Sequence, residues 1–68
     1  MIIMNKTQEI MNGIIASLNA AGLVNSAKSA TILKAKVMKA QKITEGQKSD
    51  FEQFAMAARM RKISWCGV

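Results

Sequence analysis

Five lysines and no acidic residue occupy the stretch from Lys28 to Lys42: Lys28, Lys34, Lys36, Lys39 and Lys42. An ammonium on a flexible stem is a compact point charge suited to phosphate, whereas the planar fork of arginine reads base edges in bidentate fashion. The stretch contains no arginine, and its first glutamine is Gln41. The chemistry it predicts is contact with the backbone of a polyanion, with low sequence preference. Residues 1–27 balance Lys6 against Glu9, while residues 28–68 carry nine Lys or Arg against three acids, so the whole net charge of +6 lies in the second part. That asymmetry points to nucleic acid, or else to an acidic protein surface, as the partner. The plainer alternative is a solvated helix face that keeps a half-apolar chain soluble. Such faces commonly interleave both signs, and a run of five lysines without one acid is unusual for that purpose.

Other chemistries find little support. Cys66 has no histidine to activate it, because the chain contains none. Glu9, Glu45, Asp50 and Glu52 read as charges near helix starts and show no pairing suited to acid/base work. Four scattered carboxylates without histidine do not make a structural metal cage, and no glycine-rich loop cradles phosphate. The expectation is a non-catalytic protein without metal or cofactor that acts by stoichiometric binding.

Lysines can form one face only if an element gathers them, and composition says which kind. Proline is absent, aromatics number three, and helix formers dominate. An all-α fold follows, and a 50% apolar fraction is too high for a disordered basic tail. A chain of this size buries only about 60% of its unfolded surface. One cysteine cannot form an internal disulfide, so self-association as a homodimer, or very regular helix packing, is the expected remedy. The lone thiol also suits a reducing compartment, and the expected location is cytoplasmic. Met1-Ile2-Ile3-Met4 is too short for a signal-peptide core, and either Met1 or Met4 can serve as the start. The uncharged stretch from Ile10 to Ala27 is interrupted by Asn12, Gly13, Ser17, Asn19, Gly22, Asn25 and Ser26, which argues against a membrane span.

The pattern predicts one compact domain of three helices, over about residues 6–21, 26–42 and 50–63. In the first, Asn5 is a suitable cap, Ile10, Ile14, Leu18 and Ala21 form a stripe, and Gly22 with Leu23 supplies a left-handed stop. Gly13 inside it predicts close approach by another helix. The second helix starts at Asn25 or Ser26. Its core stripe is Ala30, Leu33, Val37 and Ala40, with Lys28, Lys39 and Lys42 nearly opposite, Lys36 on one flank and Lys34 nearer the other. Ile32 and Ile43 fall toward the charged side. The third helix starts most clearly at the capping box Ser49-Asp50-Phe51-Glu52, with Thr44-Glu45-Gly46-Gln47 a poorer alternative. Apolar groups on two of its sides predict that it is the most buried, or shared between subunits.

Ala21-Gly22-Leu23 resembles the turn of a helix-turn-helix, but Leu18 stands where a small residue is usual and Lys28 where the second helix needs an apolar one. The methionines sit at core-like helix positions, which favours packing over an adaptable groove. The leading expectation is a small basic regulator, of the size found in phage, plasmid or operon systems, that binds nucleic acid. Lys28, Lys34, Lys36, Lys39 and Lys42 would contact phosphate, with Arg59, Arg61 and Lys62 extending the patch. The alternative is an inhibitor or adaptor that docks on an acidic, nucleic-acid-binding surface of another protein, with Ile32, Ile43 and Trp65 as apolar anchors. Trp65 reads more readily as a cap on the core.

Overall fold

A computed structural model describes residues 5–61 together with Ile63 and Trp65. Its elements are α1 (Asn5–Ala20), α2 (Val24–Ala40) and α3 (Glu45–Ala57), with no strand among the described residues. The all-α, three-helix architecture is the one composition predicts. No helix among these residues is long and apolar enough to cross a membrane.

Each helix ends by the same device, and this sets where the lysines fall. After α1, the Leu23 N–H donates to Leu18 O at 2.9 Å and the Gly22 N–H to Asn19 O at 3.0 Å. This pair of bonds is a Schellman stop, and Gly22 takes the left-handed conformation it requires, at φ 77°. Leu23 packs back on the core as the sequence predicts. It also serves as the N-cap of α2, without a side-chain cap bond, so α2 begins at Val24 and not at Asn25 or Ser26. The turn is too short to leave a polar cap in place.

At the end of α2, the N–H groups of Gln41 and Lys42 donate to Met38 O and Val37 O, both at 3.3 Å, with Gln41 at φ 53°. A side chain in that conformation costs roughly 1–2 kcal/mol, and the bonds to otherwise orphaned carbonyls offset part of it. Lys42 therefore lies beyond the helix, contrary to the predicted span 26–42.

The third helix departs furthest from expectation. Thr44 is its cap: the Gln47 N–H donates to Thr44 Oγ1 at 3.2 Å, and the Thr44 N–H donates to Gln47 Oε1 at 2.9 Å. The Ser49-Asp50 box lies within the helix and is not used. Gly46 is in the first turn, where the reciprocal bonds outweigh its poor propensity, and buried Ile43 fixes the chain just ahead of the cap. The helix stops at Ala57, not Ile63, because Arg59 turns left-handed at φ 59° and the Met60 N–H reaches Ala55 O at 2.9 Å. That turn sends Ile63 and Trp65 back onto the core.

The core is built from Met11, Ile14 and Leu18 of α1, Ala27, Ala30 and Val37 of α2, Phe51 and Ala55 of α3, and Ile43 between them. Thr7 is also buried. It extends the α1 stripe as Thr7-Met11-Ile14-Leu18, one turn earlier than the predicted Ile10-to-Ala21 row. Ala21 and Ala40 are exposed, because each lies where its helix peels into a turn. With four buried residues against two for α3, α1 is the most buried helix, which corrects the expectation for the third.

The predicted close approach at Gly13 is also absent, since a Cβ built there meets nothing within 4 Å. Two substitutions therefore move stability in opposite directions. Gly13→Ala stabilises by about 1 kcal/mol through helix propensity, and Thr44→Ala costs about 1 kcal/mol through loss of the cap. Urea unfolding followed by circular dichroism reads both. Ser49→Ala, at an exposed helix position that does not cap, does not destabilise and gains a few tenths of a kcal/mol through propensity.

Candidate nucleic-acid interface

Because Ala27, Ala30 and Val37 point α2 inward, the opposite side of that helix is fixed as outward. Lys28, Ile32 and Lys36 follow one another there at four-residue spacing, and Lys39 lies beside them one turn on; all four are exposed. With a rise of about 1.5 Å per residue, Lys28 and Lys36 are about 12 Å apart along the axis, and Lys28 and Lys39 about 16 Å. Among the described residues, no carboxylate approaches any of the three lysines within 4 Å. The ion pair found among the described residues lies elsewhere, between Lys48 Nζ and Glu45 Oε2 at 3.1 Å. Lys39 stands in the last turn of α2, where the helix dipole favours a cation. That explains one lysine locally but neither of the others.

The remaining predicted site residues do not join this row. Lys34 is half-buried on the flank toward α1, and its Nζ donates to Asn12 Oδ1. It ties two helices together and is not part of the outward face. Lys42, past the end of α2, is exposed but belongs to the turn. Arg59 is exposed in the left-handed turn after α3. Arg61 borders a separate cleft of about 330 Å³ with Met56, Met60 and Ile63, on the flank of α3 turned away from the lysines. Lys62 lies outside the described residues, as does Cys66.

Two of the three proposed apolar anchors are corrected. Ile43 is 9% exposed and sits in the core, since the turn before α3 folds it inward. Trp65 is half-buried, with its ring centroid 6.5 Å from that of Phe51, and its Nε1–H donates to Glu52 Oε2 at 2.9 Å. Its apolar body and polar tip are both engaged within the chain, as expected of a cap on the core. Ile32 alone projects, at 60% exposure.

Sequence reasoning missed what flanks Ile32. On one side is a cleft of about 430 Å³ between Val24, Ala27, Lys28 and Asn19, the last from the end of α1. On the other is a cleft of about 270 Å³ where Leu33 and Phe54 meet, edged by Lys36, Asp50 and Gln53. Ile32 lines both. Neither is visible in spacing along one helix, because each needs a second helix to supply a wall.

The arrangement offers three exposed cations, an apolar ridge and two shallow recesses. The Gly22 turn is an ordinary helix stop, and exposed Lys28 occupies a position that a helix-turn-helix would bury. Among the described residues no three His, Cys, Asp or Glu side chains gather as metal ligands. No protein-family model matches the chain, and neither a curated protein nor a solved structure matches it.

Proposed function

We propose that this protein is a non-catalytic nucleic-acid-binding regulator that grips phosphate through Lys28, Lys36 and Lys39. The observation that carries the reading is the gathering of these side chains on the outward side of α2, with no carboxylate partner within 4 Å among the described residues. Lysine without arginine gives charge neutralisation without base reading, so binding is broad in sequence and strongly dependent on salt.

Neutralising three phosphates sets a log-log salt slope of roughly −2.7 on duplex and roughly −2.1 on a single strand. Fluorescence anisotropy of a labelled oligonucleotide at several salt concentrations measures it. A slope near zero, or no binding at about 50 mM salt, contradicts the reading.

The alternative, docking on an acidic protein, draws on exposed Ile32 at the centre of the charged face, since protein interfaces place an apolar centre within a polar rim. With Ile43 in the core and Trp65 folded on Phe51, however, two of its three expected anchors are engaged within the chain. A partner that survives nuclease treatment of a lysate would favour it over nucleic acid.

A further inference from the structure

Phosphate contact by three lysines leaves Ile32 unexplained, since an exposed branched hydrocarbon contributes nothing to a phosphate. We infer that the face takes single-stranded nucleic acid in preference to duplex, with a base lodged in the recess on each side of Ile32. This rests on the phosphate reading above and adds a statement about the bases.

Each recess has its own lysine, Lys28 on one side and Lys36 on the other, with Ile32 midway along the roughly 12 Å between them. Apolar side chains form part of each lining: Val24, Ala27 and Ile32 in the first, Ile32, Leu33 and Phe54 in the second. Polar side chains share each lining, Asn19 and Thr31 in the first and Ser29, Gln53 and Asp50 in the second. A nucleobase matches that pattern, with apolar faces and a rim of hydrogen-bonding edges.

Asp50 is informative because it has the wrong sign for a phosphate. Its carboxylate keeps the strand's phosphates outside the second recess, on Lys36 and Lys39, while accepting an N–H from a base edge within. A duplex cannot use these recesses, because its base faces are stacked and only its edges reach the grooves. It is left with the lysines alone.

The test compares one labelled mixed-sequence oligonucleotide as a single strand and as duplex, at about 50 mM salt, against the parent chain and Ile32→Ser. Ile32 is exposed, so the variant keeps the parent's thermal midpoint, and a melt confirms it. The parent binds the single strand more tightly, and Ile32→Ser weakens single-strand binding about tenfold, as expected from the loss of roughly half an isoleucine's burial, while changing duplex binding less than about twofold. If both forms bind alike and depend on the lysines but not on Ile32, the base-lodging inference is wrong and the phosphate reading stands. Equal losses on both forms also overturn it, because Ile32 would then not distinguish base faces. No binding of either form removes both claims together.

Discussion

The double variant Lys36→Glu, Lys39→Glu binds oligonucleotide on the order of 100-fold more weakly than the parent at about 50 mM salt. Removing two of three phosphate contacts changes the single-strand slope by roughly 1.4, which from a 1 M reference accounts for roughly 70-fold at that salt. Reversing the charges adds repulsion to the loss. Both side chains are exposed on α2 and neither forms an ion pair within 4 Å among the described residues, so folding has little to lose. Helicity by circular dichroism stays at the parent's level. Lys34→Glu is the informative contrast. It breaks the contact with Asn12 and places a carboxylate on a half-buried flank, so it lowers the melting temperature more than it lowers affinity.

The second large effect is on stability. Phe51→Ala removes the largest fully buried side chain of the core. Phe51 also meets Phe54 edge-on, with centroids 6.4 Å apart, and supports the Trp65 ring. Truncating a buried phenylalanine costs about 3–5 kcal/mol. The total stability expected at about 0.05–0.15 kcal/mol per residue is only roughly 3–10 kcal/mol for a chain of this length. The variant is therefore largely unfolded at room temperature, or melts far below the parent, in thermal circular dichroism. Phe54→Ala, at a half-buried position, costs less. A parent-like melt for Phe51→Ala would show that α3 is not the lid of the core.

The helices were legible because periodicity needs no knowledge of partners. Ile14, Leu18, Ala30 and Val37 reveal their inward faces by spacing alone, and Gly22 marks the first stop because no other residue takes its conformation so readily. What escaped depends on contacts between elements. Gln41 and Arg59 end α2 and α3 in left-handed turns without a glycine to announce them. Thr44 caps α3 in preference to Ser49 because Ile43 is already buried beside it. The candidate site divides in the same way. Lys28, Lys36, Lys39 and Ile32 fall on one side of a helix by arithmetic, whereas the removal of Lys34 to Asn12 and the walls contributed by Asn19, Asp50 and Phe54 require the packed bundle.

If the outward side of α2 receives phosphate, a ¹⁵N-resolved NMR titration with a single-stranded oligonucleotide shows it residue by residue. Progressive shifts are expected at Lys28, Ile32, Lys36 and Lys39, with Asp50 and Gln53 following as the second recess fills. Lys6, Glu9 and Ala16 on the exposed side of α1 should stay still. Shifts confined to α1, or to Met56, Met60 and Arg61 around the far cleft, with the lysine row unmoved, would contradict it.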